Sequence, residues 1–102
     1  MKVYNKLVRD KIPQIIEDNG QKAQLKILEG DAYLASLEEK LNEEVGEYHK
    51  DRSVEELADI LEVVYALAAT IGCTPAQLEH ICMEKRQQRG GFDQKIFLIS
   101  VE

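Results

Sequence analysis

Acidic residues recur at helical spacing in two neighbouring stretches of the chain. The first stretch contains Glu43, Glu44 and Glu47, and the second contains Glu56 and Asp59. Residues three apart lie on the same face of a helix, so each stretch presents a pair of carboxylates. Carboxylates that converge on one spot repel each other unless cations lie among them, and such hard oxygen ligands suit Mg²⁺ or Mn²⁺. We therefore predict a metal site, with a solvated acidic surface as the alternative interpretation.

Asp59 adds weight to the metal interpretation. Aspartate is a poor helix former, and this one stands in the middle of an otherwise apolar helical run. A charge in such surroundings is costly unless it is paired or bound to a metal. Asp59 is therefore expected to be either a metal ligand or the partner of a cation.

Basic residues form two groups that suit an anionic substrate. Lys6 and Arg9 precede the first predicted helix, and Lys85 and Arg89 fall near the end of the fourth. Cations in a last helical turn also complement the helix dipole, which is the simpler explanation of the second group. If these side chains reach across a helix interface, they can hold phosphate groups. All four are candidate substrate-binding residues.

Capping and stop signals divide the chain into four helices. The predicted caps are Asp10, Asp31, Ser53 and Thr74, and the predicted ends are Asn19-Gly20, Asp51, Gly72 and Arg89. Residues 22–28 alternate polar and apolar side chains, and residues 95–101 are β-prone. These two segments could pair as a small two-stranded β element, because an isolated strand is not stable alone. The expected fold is an all-α four-helix bundle, with or without this small two-stranded β element.

The third predicted helix is apolar around most of its circumference, whereas the second carries a single apolar stripe. A helix that is apolar on nearly all sides must be buried on several of them. A chain of 102 residues offers few elements for that burial. We therefore expect an oligomer in which a second subunit completes the bundle.

Composition narrows the class of protein. The net charge is −6, with 19 acidic and 13 basic residues, so a general nucleic-acid backbone binder is not expected. No apolar run approaches the ~20 residues of a membrane span, and the first residues lack the apolar stretch of a signal peptide. Cys73 and Cys82 have no zinc-ligand spacing and are expected to be buried thiols. These features predict one cytoplasmic domain over residues 1–102.

Three motifs together resemble a known family. The acidic motif of residues 43–59, the N-terminal YNKLVRDKIP of residues 4–13 and the late EKRQQRGGF of residues 84–92 occur in that order. In this respect the chain is similar to MazG-like all-α nucleotide pyrophosphohydrolases. The N-terminal and late motifs are similar to those of one small branch of that superfamily, whose members are often labelled phosphoribosyl-ATP pyrophosphohydrolase-like. The resemblance spans nearly the whole chain.

The resemblance implies both a reaction and a ligand set. It implies Mg²⁺-dependent hydrolysis of a nucleoside triphosphate between the α and β phosphorus atoms, in dimers or tetramers of helical protomers. The implied metal ligands are Glu44, Glu47, Glu56 and Asp59. Glu43 is then a spare carboxylate that could align the attacking water as a catalytic residue. One departure from the family is the short connector, since eight residues separate Glu47 from Glu56.

Other functions stay open on the sequence alone. One is the phosphoribosyl-ATP pyrophosphohydrolase step of histidine biosynthesis. Another is a non-catalytic helical dimerisation module, in which the acids form a solvated surface. A third is a cation-dependent nucleotide sensor that binds without turnover. Pyrophosphate release separates the enzymes from the binding modules.

Overall fold

Four helices and their connections make up the chain, with no strand. The computed structural model describes all 102 residues. Its helices are α1 (Ile12–Asp18), α2 (Gly30–Asp51), α3 (Val54–Thr70) and α4 (Pro75–Arg89). The predicted all-α class is therefore confirmed.

Two of the predicted caps form as expected. The Ser53 hydroxyl accepts a hydrogen bond from the backbone N–H of Glu56 at 3.4 Å and so begins α3. Thr74 and Gln77 form a reciprocal capping box at the start of α4, with Pro75 in the first turn. Each cap satisfies backbone donors that a helix start otherwise leaves without partners. The starts of α3 and α4 were thus predictable from local chemistry, whereas α3 ends at Thr70, two residues before the predicted Gly72.

The other two predicted caps are wrong. α1 begins after Lys11 and α2 after Glu29, and neither start has a side-chain cap. Asp31 lies inside the first turn of α2, where its charge complements the positive end of the helix dipole without accepting a capping bond. Asp10 precedes Lys11 and also makes no capping bond.

Helices α2 and α3 form the hairpin on which the rest of the chain is arranged. Only Arg52 and Ser53 connect them, and Arg52 turns the chain with a left-handed backbone conformation at φ +48°. The hairpin contains the whole buried core, since the three buried residues are Leu37 (3% exposed), Ala68 (7%) and Val63 (8%). The apolar stripe predicted on α2 thus meets one side of α3.

Helix α4 leaves the hairpin at a steep angle. It is bent by 104° from α3 and packs on α3 alone, while α1 packs on no other helix. The Tyr65 hydroxyl donates a hydrogen bond of 2.8 Å to Glu79 and ties the two helices together. That bond, together with partial desolvation and the nearby negative charge, raises the pKa of Tyr65 above its ordinary value of 10.0. A single chain therefore does not close a four-helix bundle.

The predicted β element does not form. Residues 22–28 and 95–101 are both without regular structure, and their large side chains Ile27, Ile96 and Phe97 are exposed. Two short strands are marginally stable without a third strand or a helix to cover their apolar face. No helix of the chain covers these segments. The alternation of polar and apolar side chains was therefore not sufficient to predict a strand.

Much apolar surface is open to solvent. The radius of gyration is 17.9 Å and the extents are 61 × 32 × 24 Å, against about 13 Å for the radius of a compact domain of this length. Leu57 and Leu61 on α3 are about half exposed, and Phe92 is almost fully exposed. Cys73 is partly exposed and Cys82 is exposed, which corrects the expectation that both thiols are buried.

No helix taken singly has both the length and the apolar character needed to cross a membrane. Helices α3 and α4 meet that test only when they are joined as a bent pair.

Candidate metal centre

Carboxylates from both helices of the hairpin meet near the turn that joins them. Oxygens of Glu44, Glu56 and Asp59 lie within 4.8 Å of one another. Oxygens of Glu47, Asp51 and Glu56 form a second group within the same distance. We refer to these five residues as the acidic cluster. All four predicted metal ligands belong to it, and Glu56 is shared by the two groups.

Local sequence explains the convergence. Residues three and four apart lie one above another on a helix, which aligns Glu44 with Glu47 and Glu47 with Asp51. The two-residue connection then folds Glu56 and Asp59 back against that face. Asp51 was missed by the sequence interpretation, although its spacing of four residues from Glu47 was a usable signal.

The donor set fits a hard divalent cation. Every donor is a carboxylate oxygen, and no histidine or cysteine takes part. Octahedral Mg²⁺ binds oxygens at about 2.0–2.1 Å, so two of its ligands lie at most about 4.2 Å apart. Side-chain rotation can bring oxygens that lie within 4.8 Å of one another to this separation. The acidic cluster can therefore hold Mg²⁺ or Mn²⁺.

Electrostatic repulsion within the cluster is visible at Glu56. Partial desolvation, followed by the charges of Asp59, Asp51, Glu44 and Glu47, raises the pKa of Glu56 above its ordinary value of 4.5. A cation among these carboxylates would relieve that repulsion, since an opposite charge favours the ionised form.

Basic residues of the N-terminal segment, residues 1–11, reach the same face. A guanidinium nitrogen of Arg9 lies 2.6 Å from an Asp59 carboxylate oxygen. The ammonium of Lys6 lies 3.3 Å from Glu43. The sequence predicted the chemistry of these residues but had no means of placing them, because 50 and 37 residues separate the partners. Asp59 is thus a candidate metal ligand that pairs with a cation in the metal-free chain.

Lys40 is a second feature that the sequence interpretation missed. Its ammonium lies 3.4 Å from Glu43 and 3.3 Å from Glu44, one turn along α2. With side-chain exposures of 15% for Lys40 and 12% for Glu44, this is the most buried ion pair in the chain. The spacing of three and four residues between these partners could have indicated it.

Glu43 lies outside both carboxylate groups and has a different environment. Partial burial works against its ionisation, but the charges and hydrogen bonds of Lys40 and Lys6 outweigh burial and lower the pKa of Glu43 below 4.5. A lower pKa makes a weaker base. Glu43 is therefore better suited to orienting a water molecule by accepting its hydrogen bond than to removing its proton.

The remaining basic candidates are not brought to the acidic cluster within one chain. Lys85 and Arg89 lie on α4, which packs on α3 alone, and neither forms an ion pair. Lys50 lies 3.9 Å from Glu47 at the outer edge of the cluster.

A small polar cavity lies beside the cluster, between the N-terminal segment and α2. Its volume is about 50 Å³, enough for a water molecule but not for a nucleotide. Lys6, Lys40 and Glu43 are among the residues that line it.

Comparison of the chain with protein-family models, curated proteins and solved structures finds no match. Functional assignment therefore depends on the residues themselves.

Proposed function

We propose that the protein is a Mg²⁺-dependent nucleotide pyrophosphohydrolase of the MazG-like type. It would cleave a nucleoside triphosphate, or a related nucleotide, between the α and β phosphorus atoms. The observation that supports this most directly is the meeting of four predicted ligands from two helices beside Lys6 and Arg9. The sequence resemblance supplies the reaction class.

Each group of residues has a separate role in the proposed hydrolysis. Glu44, Glu47, Glu56 and Asp59 would hold Mg²⁺, with Asp51 as a further ligand at the edge of the cluster. When bound, the ion supplies neutralisation of the triphosphate charge and polarisation of the α-phosphoryl group. Glu43 orients the attacking water, because its lowered pKa keeps it an acceptor. Arg9 and Lys6, which pair with Asp59 and Glu43, would supply positive charge to a departing pyrophosphate.

Self-assembly is part of the proposal. The exposed Leu57 and Leu61 side chains lie on the same helix as Glu56 and Asp59. A second protomer that covers this surface would build a bundle around the site. Lys85 and Arg89 would serve the site only if association brings α4 of a neighbouring protomer to it, because their own chain does not.

The decisive test is pyrophosphate release. The chain of residues 1–102 would be assayed with Mg²⁺ against standard nucleoside triphosphates, damaged nucleotides and phosphoribosyl-ATP. We expect a monophosphate and pyrophosphate from at least one substrate, with no product when the metal is chelated. Preference for phosphoribosyl-ATP would place the enzyme in histidine biosynthesis.

A non-catalytic assembly module is the second candidate, and a specific observation favours it. Arg9, Lys40 and Lys6 already pair with Asp59, Glu44 and Glu43, so part of the negative charge is balanced without a metal. Such a module would show the same thermal stability with and without Mg²⁺. A metal-dependent rise in melting temperature would favour the enzyme, because a ligand that binds only the folded chain stabilises it.

A further inference from the structure

Arg9 pairs with a carboxylate that a bound cation would also need. Its guanidinium contacts an oxygen of Asp59 at 2.6 Å, and Asp59 belongs to the carboxylate group it forms with Glu44 and Glu56. A cation bound by that group would bring a second positive charge beside the guanidinium. The two would compete for the same carboxylate.

We propose that Arg9 is the counter-ion of Asp59 in the metal-free chain and that a divalent cation displaces it. Displacement would loosen the N-terminal segment from α3. The inference rests on the proposed function, since it requires the acidic cluster to bind a metal.

The surroundings of Arg9 make its displacement easier than that of Lys40. The Arg9 and Asp59 side chains are 56% and 40% exposed, and exposed ion pairs are weak. Lys40, in contrast, is largely buried and is held by two acids of its own helix. Arg9 has Asp59 as its single ion-pair partner, so a metal that binds Asp59 takes away the only acid that holds Arg9.

The second ion pair of the N-terminal segment, between Lys6 and Glu43, does not have to break. Lys6 pairs with Glu43, which lies outside both carboxylate groups. The segment would therefore stay attached to α2 while its contact with α3 opens. The released guanidinium stays close to the metal, where its planar fork can bind a phosphate in two places.

Metal affinity gives the first measurement. Mn²⁺ binding would be titrated for the wild type, for Arg9→Gln and for Lys11→Gln, which removes the same charge from the same segment but breaks no ion pair. We expect Arg9→Gln to tighten Mn²⁺ binding by about two- to fivefold, since an exposed competing pair is lost. Lys11→Gln should change the dissociation constant by less than about 1.5-fold, because its charge is screened.

Hydrogen exchange of the N-terminal segment gives the second measurement. Saturating Mn²⁺ should speed backbone exchange of Ile12 and Ile15 in the wild type, whose N–H groups donate to the carbonyls of Arg9 and Lys11. Asp59→Asn should show the faster exchange without metal, since it weakens the hold on Arg9 directly. Equal Mn²⁺ affinity of the two glutamine variants, or exchange that Mn²⁺ leaves unchanged or slows, would overturn the inference while leaving the metal site in place. Failure of the wild type to bind Mn²⁺ at all would instead overturn the proposed function, and this inference with it.

Discussion

Glu56 connects the two halves of the acidic cluster, because its carboxylate belongs to both groups of oxygens. Its raised pKa means that, without metal, the folded chain binds a proton there more tightly than the unfolded chain does. Such a group stabilises the fold below its ordinary pKa of 4.5, and that contribution is lost as the pH rises through the raised value.

A pH series of Glu56→Gln follows from this linkage. Relative to the wild type, the metal-free variant should gain stability as the pH rises from about 4.5 to 7, because the repulsive charge is absent. Urea denaturation at several pH values measures the difference. Glu43→Gln is the opposite control. Its lowered pKa gives stability that is present above 4.5 and lost as the pH falls through the lowered value, so this variant should lose stability relative to the wild type near neutral pH.

Asp59→Asn separates the function of the acidic cluster from its contribution to the fold. The change keeps the shape of the side chain but removes the charge that a metal requires. We expect turnover to fall at least about 100-fold, since even the outer-shell partners of metal ligands are worth 10–100-fold. Metal-free stability should change by less than about 1 kcal/mol, because an exposed pair with Arg9 is lost while repulsion of Glu56 is relieved.

The matched control for Asp59→Asn is Glu55→Gln. Glu55 is exposed, on the same helix, and belongs to neither carboxylate group. It should leave pyrophosphate release and denaturation unchanged. Full activity in a destabilised Asp59→Asn protein would remove the acidic cluster from catalysis.

At the level of the helices, replacing Gly46 with alanine should stabilise the fold. It lies within α2 with no positive φ, and a Cβ added there would meet nothing within 4 Å. Gly46→Ala should therefore raise the free energy of unfolding by about 0.5–1 kcal/mol, the usual gain when alanine replaces a glycine inside a helix.

Gly72→Ala is the counterpart to Gly46→Ala. Space is equally open at this position, but the backbone has φ +77°. A Cβ is disfavoured there, so the same substitution should lower stability by about 1–2 kcal/mol. Chemical denaturation of the two variants compares helix propensity with backbone strain in one chain, and a loss of stability at Gly46 would show that its surface is covered in solution.

Sequence was sufficient where the determining contacts are local. The starts of α3 and α4 follow from capping residues that bond to a group three positions later in the chain. The alignment of Glu44 with Glu47 follows from helical spacing. Prediction from the sequence failed where a partner distant in the chain determines the structure. Residues 95–101 have β propensity but no covering partner, and Arg9 lies 50 residues from Asp59. Asp51 and Lys40 follow the same spacing rule, so their positions could also be predicted from the sequence.

For the whole molecule, a small core and a large exposed apolar area predict association. Three buried residues in 102 are few for a stable independent domain. Leu61→Glu should convert an oligomer to monomers and lower the melting temperature, because the substitution places a charge in the covered surface. Sedimentation at micromolar concentration measures this. Glu62→Gln, the next residue of α3, is the control, and a wild-type chain that sediments as a folded monomer would contradict the prediction.

The acidic cluster is encoded in one continuous stretch, residues 44–59, whereas its nearest basic partners outside the hairpin come from residues 1–11. The hairpin is therefore a portable unit that could be grafted onto another pair of antiparallel helices with its carboxylates in register. Such a graft would carry the metal ligands without Arg9 or Lys6. A synthetic peptide of residues 1–11, added in trans, could then return those two charges to the surface that they contact in the intact chain.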